Sequence, residues 1–122
     1  MRPLLIVLAA ALIAGCASNT PGKHIDQAYK AYDQGDCAKV ILELSQAERS
    51  ARSRPHLQPE ISLLRGLCLE RQGLYLDAIQ IYRHLVRYTP TSEYAYRAGA
   101  RLETLRLLGH YDPKDKLAPD RR

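Results

Sequence analysis

Three glycines divide the chain at nearly equal intervals, and this spacing is the strongest constraint on its fold. Gly35, Gly73 and Gly109 lie 38 and 36 residues apart, and each follows a segment in which apolar residues recur every three or four positions. Glycine commonly ends α-helices, because the left-handed conformation needed there costs it no side-chain clash. Recurrence of helix, glycine turn and helix at this period predicts an α-solenoid.

The apolar periodicity predicts five helices, and no stretch shows the period of two that is typical of a half-buried strand. The first helix carries an apolar stripe over residues 25–32, Asp36 can cap the second, and Pro59 is well placed to open the third. The third helix is apolar nearly all round, so we expect it to be sandwiched between its neighbours. The residues expected to face inward from the fourth and fifth helices are Ala78, Ile79, Tyr82, Leu85, Val86, Ala95, Ala98, Leu102 and Leu105.

The second helical unit resembles the tetratricopeptide repeat (TPR) over most of its length. The residues that carry this match are Gly66, Leu67, Cys68, Leu69, Gly73, Tyr75, Ala78, Tyr82, Leu85 and Pro90. The first unit matches less closely, because Cys37 stands where an aromatic residue is usual and Val40 where alanine is usual; in the second unit Arg65 occupies a normally apolar position. The resemblance implies an all-α fold: a short TPR-like α-solenoid of two helical hairpins plus a C-terminal capping helix, spanning residues 24–109, followed by a charged tail over residues 110–122.

Residues 1–15 form a separate segment with the layout of a secretory signal. One charged residue, Arg2, precedes an unbroken apolar run over residues 4–14. This run spans only about 16 Å as a helix, against a hydrocarbon core of roughly 30 Å, so we do not expect it to form a permanent membrane span.

The end of this segment resembles the lipobox of bacterial lipoproteins, in Ile13, Ala14, Gly15 and Cys16. The resemblance implies that Cys16 is acylated and becomes the first residue of the mature chain, with residues 16–23 as a polar tether. In that family an aspartate directly after the cysteine retains the protein at the inner membrane, whereas Ala17 follows here. This implies anchorage in the outer membrane, with the domain facing the periplasm. The alternative is an ordinary signal peptide beside an accidental cysteine.

If Cys16 carries lipid, Cys37 and Cys68 remain as a pair in an oxidising compartment. Consecutive solenoid helices run antiparallel, so the start of the second helix lies beside the end of the third, and we expect the two thiols to be neighbours. A disulfide between them would close a loop of 31 residues, worth about 3–4 kcal/mol on the chain-entropy account. The alternative is that both are small apolar residues of the core.

The sequence contains none of the patterns that carry common enzyme chemistry. Nucleophile motifs with a local histidine, HExxH, CxxC pairs and glycine-rich phosphate loops are all missing, and the four histidines are not at ligand spacing. We therefore expect a protein that is not an enzyme and holds neither metal nor cofactor. From residue 83 onward there are nine basic and five acidic residues, but a periplasmic location and the lack of aromatic and basic interleaving argue against nucleic acid as the partner.

A short solenoid offers one shallow groove, lined by its first, third and fifth helices, in which we expect a protein or peptide partner from the cell envelope to bind. The expected apolar floor and basic end consist of Leu63, Leu67, Arg97 and Arg101. Rotating the fifth helix by one residue would instead bring Tyr96 and Ala100 into the groove. The leading hypothesis is a lipid-anchored periplasmic adaptor, which touches the membrane only through its anchor. Two alternatives stay open: a pilotin-like or envelope-assembly accessory protein, by family analogy, and a structural module whose open ends self-associate. The sequence sets neither the partner nor the oligomeric state.

Overall fold

The computed structural model describes residues 20–114, which are mostly helical and contain no strand. The helices are α1 (Pro21–Asp33), α2 (Cys37–Ser50), α3 (Gln58–Arg71), α4 (Tyr75–Tyr88) and α5 (Glu93–Leu107), with a short 3-10 turn at Pro55–Leu57. The pairs α1–α2 and α3–α4 form two hairpins, and α5 packs against α3 and α4 as a cap. The predicted fold, two helical hairpins plus a capping helix in a repeat-like solenoid, is confirmed.

Within residues 20–114, no helix has the length and apolar character needed to cross a membrane. The expected signal segment, Cys16 and residues 115–122 lie outside the described residues.

Three of the helices end in the same hydrogen-bonded motif. Positive φ angles of 75°, 77° and 80° occur at Gly35, Gly73 and Gly109. At the first of them, the Gly35 N–H donates to the Tyr32 carbonyl at 3.0 Å, and the Asp36 N–H donates to the Ala31 carbonyl at 2.9 Å. The same pair of bonds recurs at the other two glycines, which makes all three Schellman motifs. The glycine period of the sequence is therefore the period of one helix-ending structure.

The boundaries of the domain differ from the expected ones at both ends. Asp36 caps α2 as predicted, since its side chain accepts a hydrogen bond from the Lys39 N–H at 3.0 Å. However, α1 begins at Pro21, so residues 21–23 are helical and not part of a tether. At the other end, His110 stacks on Tyr75 with ring centroids 3.8 Å apart, so the tail does not begin at residue 110.

Two apolar clusters make up the core, and α3 contributes to both. The first cluster lies between α1, α2 and α3, and the second between α3, α4 and α5. Ile61 and Leu64 point into the first, Leu63 points into the second, and Leu67 packs against both. The prediction that the third helix is sandwiched is confirmed.

Two positions depart from the expected burial for reasons visible in the structure. Val86 was expected to face inward but is 40% exposed, because it lies at the outer edge where α4 meets α5. Arg65, at a normally apolar position, is accommodated because Glu48 on α2 accepts a hydrogen bond from it at 2.6 Å. Burial raises the pKa of Glu48, but the hydrogen bonds from Arg65 and Gln58 outweigh that effect and lower the pKa below its usual value.

The start of α2 and the end of α3 meet at Cys37 and Cys68. Their Cα atoms are 5.5 Å apart and their sulfurs lie at disulfide distance. Both residues are buried in the first cluster. The expectation that the two thiols are neighbours is confirmed.

Candidate binding groove

The groove lies across α3, where α1 and α5 flank it on the same side. It contains a pocket of about 380 Å³. The pocket is lined by Tyr32, Leu67, Glu70, Arg71, Tyr75, Arg101, Leu105 and Leu108. Two of the predicted groove residues, Leu67 and Arg101, are therefore brought together here.

Leu63 does not line the groove. It is only 2% exposed and belongs to the second apolar cluster. The sequence suggested otherwise because residues 63 and 67 are four apart and share a helix face. The packing of α4 and α5 covers the first of these positions and leaves the second open.

Tyr96 is also outside this groove. It is 81% exposed but lines a different cleft, with Val86 and Pro90. Arg97 is exposed and acts electrostatically on Tyr29 of α1, which places it on the groove side with Arg101. Arg101 therefore lines the groove pocket, whereas Tyr96 and Ala100 line the separate cleft between α4 and α5.

At one end of the groove, Glu70 gathers donors from two other helices. It accepts a hydrogen bond from the Tyr82 hydroxyl at 2.8 Å and from Arg101 Nε at 3.1 Å, and Arg101 Nη2 also contacts it. The Glu70 side chain is 13% exposed, whereas that of Arg101 is 38% exposed. Arg101, which was expected at the basic end of the groove, is thus already paired with a carboxylate. Burial and the bond to Glu70 raise the pKa of Tyr82, which keeps its hydroxyl a neutral donor.

At the other end of the groove, Glu60 of α3 also accepts a hydrogen bond from a tyrosine of a neighbouring helix. The Tyr29 hydroxyl of α1 donates to Glu60 Oε1 at 2.9 Å. Burial, then this hydrogen bond, raise the pKa of Tyr29, and the nearby Arg97 partly opposes the rise. Burial and the charge of Glu60 also raise the pKa of Tyr94 on α5. Two carboxylates of α3, one near each end, therefore connect it to the flanking helices.

The half-buried Tyr32 and the exposed Arg71 form a platform, and the sequence analysis missed the pairing of these two residues. The Arg71 guanidinium lies 3.8 Å from the centroid of the Tyr32 ring, and its Nη1 donates to the Tyr32 carbonyl at 2.7 Å. This is cation–π geometry. The sequence does contain a signal for this contact, because both residues lie in the last helical turn before a repeat glycine. Solenoid packing places such turns side by side.

The described residues contain no group of three or more histidine, cysteine, aspartate or glutamate side chains that could hold a metal ion. Two of the histidines have packing roles instead. His24 Nδ1 pairs with Glu43 at 2.7 Å between α1 and α2, and His110 stacks on Tyr75. The groove pocket itself is lined by tyrosine, leucine, arginine and glutamate side chains.

Comparisons with protein-family models, with curated proteins and with solved structures gave no match to this chain.

Proposed function

We propose that this chain is a lipid-anchored periplasmic adaptor of the TPR type, which holds an extended segment of a cell-envelope protein in the groove across α3 and performs no catalysis. The observation that carries the proposal is the lining of the groove: leucines, tyrosines and guanidinium groups face one concave space. Such a lining binds by burying side chains and pairing charges. The alternative of a pilotin-like or envelope-assembly accessory protein is a special case of the same activity, defined by its partner.

The chemistry of the groove favours a partner segment that carries both apolar and acidic residues. Leu67 and Leu108 offer apolar surface, and Tyr32 and Tyr75 add rigid aromatic area at low entropic cost. The acidic side chains of α3 are already engaged, because Glu70 accepts from Tyr82 and Arg101 and Glu60 accepts from Tyr29. Arg71 and Arg97 are exposed and remain able to meet carboxylates of a ligand.

The anchor rests on the lipobox resemblance at Cys16. A chain acylated there and anchored in the outer membrane would keep the groove close to the bilayer, where envelope proteins assemble. Binding in such a setting needs only modest affinity, since both partners are confined near one surface.

The experiment that tests the groove places a photo-crosslinking amino acid at two positions of similar exposure. Leu108, at 65%, lines the groove, and Leu42, at 58%, lies on α2 and does not. In intact envelopes, we expect a discrete adduct from position 108 and none of the same mass from position 42. Adducts of equal mass and yield from both positions would contradict the proposal.

The charges are tested in the same assay with the variant Arg71→Ala, Arg97→Ala. We expect its adduct yield to fall and that of the parent chain to decline with rising salt, because exposed charges are screened beyond about 10 Å at 0.1 M ionic strength. Arg83→Ala on α4 is the matched control. Arg101 is kept, because its removal would leave Glu70 without its cationic partner. An unchanged yield in the double variant would show that the arginines do not contribute.

A further inference from the structure

Exposed cationic side chains are grouped at the end of the domain where α1 begins. This basic end consists of Lys23, Arg49, Arg52 and Arg54. The first of these residues lies in the first turn of α1, the second lies in the last turn of α2, and the other two lie in the connection to α3. His24 of α1 lines one small pocket together with Gln46 and Arg49 of α2, so the start of α1 lies beside the end of α2.

The charges of the basic end are not neutralised by the surrounding protein. None of its four side chains forms a hydrogen bond or an ion pair with another residue of the described range 20–114. The nearest acids of α2 are engaged elsewhere, because Glu43 pairs with His24 and Glu48 pairs with Arg65. Asp26, one turn further along α1, is exposed and offsets only part of the positive charge.

The opposite end of the domain, at the three repeat glycines, carries charges of both signs. Within five residues of these glycines, the exposed acids are Asp33, Asp36, Asp77 and Asp112, and the exposed cations are Lys30, Lys39, Arg71, Arg106 and Lys114. On the α4 and α5 side of the basic end, Arg87 and Glu93 add one charge of each sign. The domain therefore has a positive pole where α1 begins, and an external field can orient it.

The proposed lipid anchor attaches at this same pole. Because α1 begins at Pro21, only five Cα–Cα steps separate it from Cys16. Such a stretch spans at most about 18 Å. An acylated Cys16 at the bilayer surface would therefore hold the basic end within that distance of the headgroups. The first repeat glycine lies beyond the far end of α1, a helix of 13 residues that is about 20 Å long.

We propose that the basic end docks on anionic lipid headgroups of the membrane that holds the anchor. Basic side chains close to an anionic bilayer each strengthen binding about fivefold, and the attraction falls off within a Debye length of about 10 Å. The short link to Cys16 favours a lipid surface over an acidic protein as the occupant, since the bilayer is always within reach. The inference thus rests on the proposed acylation and is independent of what the groove binds.

Docking at the basic end would stand the helices along the membrane normal. The start of α3 lies at this end, since Gln58 donates a hydrogen bond at 3.0 Å to Glu48, near the end of α2. The Glu60 end of the groove then faces the bilayer. The pocket beside Glu70 lies ten residues further along α3, about 15 Å farther from the headgroups. A partner segment would therefore meet the pocket away from the lipid surface.

Photo-crosslinking to lipid tests the docking with the full acylated chain in vesicles. A photoreactive amino acid replaces Ser53, between two arginines of the basic end, or Gln72, beside the second repeat glycine; both positions are exposed. The vesicles contain phosphatidylethanolamine with either anionic phosphatidylglycerol or neutral phosphatidylcholine. We expect lipid adducts from position 53 in the anionic vesicles, with a yield that declines as salt rises, and only background from position 72.

Two matched variants remove three cations each. The basic-end variant is Arg49→Gln, Arg52→Gln, Arg54→Gln, and the control variant is Lys30→Gln, Lys39→Gln, Lys114→Gln. At about fivefold per residue, we expect the basic-end variant to lower the docking equilibrium about a hundredfold, so that its adduct yield from position 53 falls to that of neutral vesicles. The control variant is expected to behave as the parent chain does. Helical circular dichroism establishes that both variants are folded.

Flotation of the same samples separates this proposal from the anchor. A parent chain that does not float with neutral vesicles contradicts the anchor, and docking then still requires the parent, but not the basic-end variant, to float with anionic vesicles at low salt. The docking is overturned if that difference is absent, or if position 53 of the anchored chain gives equal lipid adducts in both kinds of vesicle. It is also overturned if the two variants behave alike, or if position 53 crosslinks only to protein in intact envelopes.

Discussion

At the scale of single residues, Gly66 sets how closely α3 and α4 approach each other. A Cβ at this position would lie 2.6 Å from Tyr82 Cε1, and the Tyr82 ring is fully buried. The ring cannot swing aside without breaking the hydrogen bond from its hydroxyl to Glu70. Because Gly66 has no side chain, α3 and α4 can pack closely, and the Tyr82 hydroxyl can keep its hydrogen bond to Glu70 at one end of the groove.

We expect Gly66→Ala to destabilise the protein by up to about 2 kcal/mol, measured by urea unfolding followed by circular dichroism. Alanine gains about 1 kcal/mol over glycine in helix propensity, but overpacking a closed core costs about 1–3 kcal/mol. The clash with a buried ring leads us to expect the cost to exceed the gain.

Gly99→Ala is the matched comparison on α5, because an added Cβ there has an ordinary contact at 3.8 Å. In dilute protein it is expected to raise stability by up to about 1 kcal/mol. If Gly66→Ala stabilises the chain as Gly99→Ala does, the close contact with Tyr82 is not a constraint.

At the scale of elements, the link between Cys37 and Cys68 joins the two hairpins. We expect the two cysteines to be oxidised in protein taken from the envelope, with intact mass rising by two hydrogens on reduction. Reduction is expected to lower the free energy of unfolding by about 3–4 kcal/mol, since the closed loop contains 31 residues. Two free thiols in protein isolated without reductant would contradict the prediction.

Helix boundaries could be predicted from the sequence where hydrogen bonds between residues close in the chain determine them. Helix ends at the repeat glycines follow from bonds within six residues of chain, so the sequence alone located them. The start of α1 at Pro21 and the packing of His110 on Tyr75 were missed, because turn-forming composition does not show what neighbouring elements cover.

The groove was predictable in its helices but only partly in its residues. Leu67 and Arg101 line it as expected, whereas Leu63 is buried beneath it. Leu63 and Leu67 lie on the same face of α3, and which of them is buried depends on where α4 and α5 cross this helix. The pairing of Arg101 with Glu70 spans 31 residues of sequence and has no local signal.

At the scale of the whole molecule, the proposed anchor at Cys16 would decide where the proposed groove binds its partner. We expect Cys16→Ser to abolish acylation, because the thiol is the acceptor in the lipobox that residues 13–16 resemble. Metabolic labelling with a fatty acid would then lose its signal, and the chain would leave the membrane fraction. Cys37→Ser, Cys68→Ser is the control that keeps the label, and persistent labelling of the Cys16 variant would contradict the assignment.

The position of α3 between two apolar clusters makes the chain a single cooperative unit. Detaching α1 and α2 would bare Ile61 and Leu64, and detaching α4 and α5 would bare Leu63. Detachment on either side thus removes half of the support of the central helix, so we expect that neither α1 with α2 nor α4 with α5 can detach and leave a stable folded remainder. We accordingly expect the amide hydrogens of α3 to exchange with solvent only when the entire domain unfolds, and we expect that the chain cannot be shortened by one repeat as a longer solenoid can.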